Sequence, residues 1–208
     1  MSHNRDTTAA PNRDGKVIVL GDRRSGKSSF ICKAFHNAFP PQSYHYCIAL
    51  EFFNVQVPFR DVTFELQLWD APYRFSHSGT YLNRSLTRNA RGVFFLVDLS
   101  NPLGVDAAKI TLDATIGLLD ATCCWVIVGA KDDVADPQCS VAVEALALER
   151  GMPYVAVSSK TGSNIQLALL QMALELQFFS HCSREQRQLG GLRLPSFSKN
   201  DFKQCVAS

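Results

Sequence analysis

No apolar run in the sequence approaches the roughly 20 residues that span a bilayer, so a membrane-crossing helix is not expected. Met1 to Lys16 is polar, carries Asp6 and Asp14, and lacks the apolar stretch of a secretory leader. The seven cysteines include no C-x-x-C pair, and Cys32, Cys47, Cys123 and Cys124 lie in or beside apolar segments, the pattern of reduced thiols in a cytosolic protein. An excess of one charge is also missing. A net +2 gives no electrostatic footprint for nucleic acid. There are no internal repeats. What remains is 208 residues, 46% hydrophobic and 19% charged, which is one globular domain large enough to bury a sizeable core.

Against these absences stands one complete pattern. Gly21-Asp22-Arg23-Arg24-Ser25-Gly26-Lys27-Ser28 reads G-x-x-x-x-G-K-[ST], follows the apolar run Val17-Ile18-Val19-Leu20 and leads into Ser29-Phe30-Ile31-Cys32. This is the strand, turn and helix setting that a phosphate-binding loop requires. Gly21 and Gly26 permit backbone angles that a Cβ disfavours, so successive N–H groups can turn inward around a phosphate. Lys27 is expected between the β- and γ-phosphates and Ser28 on Mg²⁺, with the positive end of the following helix adding to the field.

The chain reads as alternating strands and helices. Residues 1–15 have no periodicity and are expected to be a mobile arm. Strands are expected at Lys16 to Leu20, Glu51 to Val57, Thr63 to Trp69, Gly92 to Asp98, Cys124 to Gly129 and Tyr154 to Ser158. Helices are expected at Lys27 to Asn37, Val105 to Leu119, Val141 to Arg150 and Asn164 to Ser180. Pro58-Phe59-Arg60-Asp61 is the expected turn of an antiparallel hairpin, whereas the later strands are continuous apolar runs of the kind found in parallel sheets covered on both faces. The result is a doubly wound, six-stranded, mostly parallel α/β sheet of the P-loop NTPase type, with one antiparallel edge hairpin. Such sheets bind ligands at the carboxyl ends of their strands.

Two further loops there carry chemistry. Asp70 ends the third strand, and a carboxylate beside a phosphate loop suits a Mg²⁺-bound water because a hard cation selects oxygen. Lys131-Asp132-Asp133 follows the fifth strand. A carboxylate there can accept two parallel hydrogen bonds from the guanine edge, a donor pair that adenine does not offer. Asp132 competes with Asp133 for this role, the spacing from Lys131 deciding between them. Ser158-Ser159-Lys160 follows the sixth strand and places a backbone amide at Ser159 for the guanine O6.

With these motifs in order, residues 16–180 resemble a Ras-superfamily small GTPase, nearest the Rab branch. The resemblance implies phosphate contacts from Gly21, Arg24, Ser25, Gly26, Lys27, Ser28 and Ser29, metal contacts from Ser28 and Asp70, and guanine contacts from Lys131, Asp133, Ser158, Ser159 and Lys160. Phe39 falls where the family sets an aromatic residue against the base, and it also reads as a core residue closing the first helix. GTP or GDP with Mg²⁺ are the implied ligands. Effector and regulator proteins are the implied partners, and the Glu51-Phe52 pair looks like that of the Rab effector strand.

The departures are specific. Arg24 stands where many members have glycine. Cys47 occupies the position of a threonine that contacts Mg²⁺ and the γ-phosphate, and a thiol is a poor ligand for so hard an ion. Tyr73 and Arg74 replace the Gly-Gln pair of the second switch, and 70–84 contains no glutamine. His77 in that loop, or Arg24 or Arg74 in cis, is a minor candidate to assist catalysis, and no catalytic residue is assigned. Ala130 replaces the asparagine that ties the base loop to the phosphate loop. Residues 181–208 form a polar tail ending Cys205-Val206-Ala207-Ser208, a C-a-a-X box whose terminal serine favours farnesyl. The expected function is a Rab-like guanine-nucleotide switch in vesicle traffic, peripherally membrane-associated through Cys205, with slow GTP hydrolysis. The alternative is a scaffold of the same fold that holds nucleotide constitutively or not at all.

Overall fold

The computed structural model describes residues 15–40, 50–70 and 84–185. Its elements run β1 (Lys16–Gly21), α1 (Lys27–His36), β2 (Glu51–Phe59), β3 (Val62–Asp70), α2 (Arg84–Thr87), β4 (Gly92–Asp98), α3 (Gly104–Ile116), β5 (Cys124–Ala130), one 3-10 turn (Asp132–Val134), α4 (Pro137–Glu149), β6 (Tyr154–Val157) and α5 (Ile165–Glu185). The strands form one sheet in the order β2-β3-β1-β4-β5-β6, antiparallel only between β2 and β3. From β1 the chain moves to β3 on one side and β4 on the other, so the loop after β1 opens at the reversal of strand order, where such sheets hold ligands.

Alternation along the parallel strands makes two cores. Val17, Val19, Phe94, Leu96, Val126 and Val128 point to one face, beneath Phe30, Ile31 and Ala34 of α1 and Ala168, Leu169 and Met172 of α5. Ile18, Leu20, Val93, Phe95, Val97 and Ile127 point to the other, beneath Ala108 and Leu112 of α3 and Val143, Leu146 and Ala147 of α4. Sequence patterns without polar alternation arise because both faces are covered. The hairpin is covered on one face only. Val55, Val57, Leu66 and Leu68 are buried while their alternate neighbours are not, and β2 forms one edge of the sheet.

Several boundaries differ from the sequence pattern. The hairpin turn is tighter, since Pro58 and Phe59 stay paired in β2 and Phe59 faces Val62, leaving Arg60 (φ 52°) and Asp61 to turn. The helix expected from Val141 starts four residues earlier. Asp136 is its N-cap, accepting from the Gln138 amide at 2.8 Å, and Pro137 occupies the first turn, where a missing N–H costs nothing. The helix after β4 stops at Ile116, and α1 stops at His36 with Asn37 left-handed as its C-cap. Helix α5 continues through Glu185, past the boundary expected at residue 180. The short α2 carried no periodic pattern. Cys32, Cys123, Cys124 and Cys139 are free thiols, and burial pushes Cys123 up to about 11 and Cys124 to about 12.

Candidate nucleotide-binding site

Four loop ends converge at the carboxyl edge of the sheet. After β1 the backbone enters the left-handed half of conformational space three times, at Gly21 (φ 138°), Arg24 (φ 66°) and Gly26 (φ 99°). Gly21 has a second constraint, because a Cβ built on it falls 2.2 Å from the Leu96 carbonyl oxygen of β4. The loop thus lies tight against the sheet and curls over the start of α1. No side chain caps that helix, so its first-turn amides have no internal partner and point at the loop interior.

Lys27 is buried at 8% exposure and its ammonium donates to the carbonyls of Gly21 (2.9 Å) and Asp22 (2.8 Å). An ammonium has three protons, and the third is left for a ligand. Burial lowers its pKa, with Asp70 and then Asp22 pulling the other way. The Ser25 hydroxyl is also buried, has no partner, and lies 3.0 Å from the Cβ position of Gly21. Ser28 and Ser29 sit half-buried in the first turn, and Arg24 is exposed.

Asp70 is 2% exposed. Burial raises its carboxyl above the usual range, and a hydrogen bond from Ser28 and the Lys27 charge only partly offset this. Its Oδ1 has no hydrogen-bond partner. An orphaned carboxylate oxygen beside a serine hydroxyl at the mouth of a phosphate loop fits a hard divalent cation, so Ser28 and Asp70 are the residues that would hold Mg²⁺.

Across the edge, Lys131 adopts φ 64° and caps the 3-10 turn that carries Asp133. The Ser158 hydroxyl donates to Asp133 Oδ1 at 2.6 Å and accepts from the Thr161 amide at 3.2 Å. Of the two adjacent acids, Asp133 is thus the one held by the residue that follows β6. Lys160 Nζ lies 3.7 Å from the other Asp133 oxygen, and Ser158 and Ser159 are buried. The loop ends at Gly162 (φ 88°), whose Cβ position is 2.9 Å from Lys33 Cε of α1. Phe39 is 51% exposed, which overturns its reading as a core residue.

Ala130 is buried, and its methyl lies 3.7 Å from the Cβ position of Gly26. Base loop and phosphate loop therefore meet here through a methyl group that can make no hydrogen bond. One site residue escaped the motifs. Asp98 ends β4 beside Ala130 and takes the Lys131 ammonium at 2.5 Å. Its only sequence mark is an acidic residue closing an apolar strand, the same mark that singled out Asp70. Cys47, Tyr73, Arg74, His77 and Cys205 lie outside the described residues.

Beside the site, on the outer hairpin, Phe52 (52% exposed) stacks on Trp69 with centroids 5.2 Å apart and planes at 25°. Lys16 Nζ sits 4.1 Å over the Trp69 ring. Among the described residues no helix is long and apolar enough to cross a membrane.

The model of the Ras family matches residues 16–178. The Ras-related protein Rab-37 of Homo sapiens is 30% identical over 182 residues, covering 84% of this chain and 79% of that protein. Rab-1 of Theileria annulata is 30% identical over 169 residues (78% and 74%), and human Rab-26 is 26% identical over 193 residues (90% and 70%). Placed on a doubly wound sheet with a phosphate loop at the point of strand reversal, these matches show that the chain belongs to the Ras family of small GTPases and is Rab-like within it.

Proposed function

We propose that the chain is a guanine-nucleotide-binding switch that acts in vesicle or membrane traffic and hydrolyses GTP slowly. The observation that carries this is the pairing of two prepared ends. At one, Lys27 is fixed by two carbonyls with a proton to spare, and at the other Ser158 orients the Asp133 carboxylate. The Gly21 to Ser29 segment binds the phosphates, Asp133 selects guanine, and Ser159 supplies its amide to the base. Phe39 and Lys160 flank it. Mg²⁺, held by Ser28 and Asp70, neutralises phosphate charge when bound. Slow hydrolysis follows from Tyr73 and Arg74 standing in place of the Gly-Gln pair, since the water-orienting glutamine is replaced. The Phe52 and Trp69 stack offers effector and regulator proteins an amphipathic aromatic surface. Cys205 carries the prenyl group that places the protein on the cytosolic face of a membrane.

Titration calorimetry with Mg²⁺ tests the reading. GDP and GTP bind, ADP binds about 100-fold more weakly or worse because the Asp133 carboxylate is left unpaired, and Lys27→Ala lowers GDP affinity about 100-fold. No heat for either guanine nucleotide rejects it. The second reading, a scaffold of the same fold, draws on the exposed aromatic stack and on the altered second switch. A single-turnover GTP assay showing no hydrolysis, with tightly retained nucleotide on the purified protein, favours it. An unmodified Ser208 terminus on protein from its own cells, by mass spectrometry, rejects prenylation.

A further inference from the structure

Resting on the guanine-nucleotide reading, we propose that Asp98 is a positioning residue for base binding. It holds Lys131 in place and so supplies the order in the base loop that an alanine at position 130 cannot. Lys131 begins the base loop in a left-handed conformation that costs a residue with a Cβ about 1 to 2 kcal/mol. No side chain caps the turn it starts. Residue 130 contributes only a methyl toward Gly26. The restraint comes instead from the segment after β4. Leu99 N donates to Ala130 O (2.9 Å), Asp136 N donates to Leu99 O (2.8 Å), and Lys131 Nζ reaches Asp98 Oδ2 (2.5 Å).

Asp98 is itself immobilised. Its Oδ1 accepts from the amide (2.9 Å) and the hydroxyl (2.6 Å) of Ser100. Its side chain is 18% exposed and that of Lys131 38%, so the pair is partly shielded from water. A short charge-assisted bond to a carboxylate that cannot swing away is worth more than an exposed surface pair. With its Cα set by the 3-10 turn and its ammonium by Asp98, the Lys131 stem becomes a fixed apolar bar at the base end of the site. A free lysine loses its rotamer freedom on contacting a flat ring. Here that freedom is lost before the ligand arrives.

The experiment is a double-mutant cycle on GDP binding in Mg²⁺, read by calorimetry and by the dissociation rate. Asp98→Asn keeps an acceptor for Ser100 and removes the charge. GDP affinity should fall about tenfold, mainly through faster release, while the GDP-to-ADP ratio stays unchanged because Asp133 and Ser158 are untouched. Lys131→Met keeps a stem without the ammonium, and adding Asp98→Asn to it should cost nothing more. Should Asp98→Asn not fold, Lys131→Met alone must show the same loss of about tenfold. Wild-type affinity in either single variant overturns the proposal, as does an equal loss from Asp98→Asn in both backgrounds, which marks a general structural effect. A wild-type chain that binds no GDP overturns the parent reading and this one with it.

Discussion

Arg24 holds φ 66°, a left-handed conformation that favours glycine. The left-handed conformation costs about 1 to 2 kcal/mol for a residue with a Cβ, and glycine's greater freedom in the unfolded chain returns part of that. Arg24→Gly is therefore expected to raise stability by about 0.5 to 1 kcal/mol, seen as a higher urea midpoint at constant slope. Asp98 gives a prediction in pH. Burial would raise its pKa, but hydrogen bonds from Lys131 and Ser100 and the Lys131 charge overcome that and hold it below the usual carboxylate range. A depressed folded value contributes stability above the unfolded value near pH ~4, and that contribution is lost as pH falls through the folded one. Asp98→Asn should flatten the acid limb of a stability-against-pH curve below about pH 4 and lower its neutral plateau.

The element scale shows where local rules decide and where they do not. Removing the Asp136 cap by Asp136→Ala should cost about 1 kcal/mol by chemical denaturation, because the Gln138 amide loses its partner. Phe94 of β4 meets Phe30 of α1 edge-on at 5.2 Å with both rings fully buried, so Phe94→Ala should cost about 3 to 5 kcal/mol and loosen α1 beneath the phosphate loop. The buried strands were legible because their runs of Val, Ile, Leu and Phe are bounded by turn residues. The hairpin is legible because buried Leu66 and Leu68 alternate with the half-buried Glu65, Gln67 and Trp69. Periodicity alone makes helix α4 too short, because its opening turn, Pro137 to Ser140, carries none, and its start is written in the cap instead. In the site, spacing in the sequence marks Lys27, Asp70 and Asp133, and the structure brings all three to the carboxyl edge of the sheet. The contact between Lys131 and Asp98 could not, since it spans 33 residues and exists only once β4 and β5 lie side by side.

For the molecule as a whole, a nucleotide bound as proposed, by the loops after β1, β5 and β6 and by Asp70 at the end of β3, would tie together both halves of the sheet. GDP with Mg²⁺ at about 100 times its dissociation constant should stabilise the fold by about 2.7 kcal/mol, a rise in melting temperature of roughly 5 to 10 °C for a chain of this size. Chelation of the metal should remove part of that rise. The same sheet has an outer border at β2, whose far side pairs with nothing among the described residues. One residue from its turn end, Pro58 lies opposite Thr63, and proline has no N–H to offer a strand arriving from solvent. That ring withholds a donor at the turn end of the border, so Pro58→Val should lengthen the stretch on which a neighbouring molecule can zip and make the protein clump at a lower concentration, as light scattering would register.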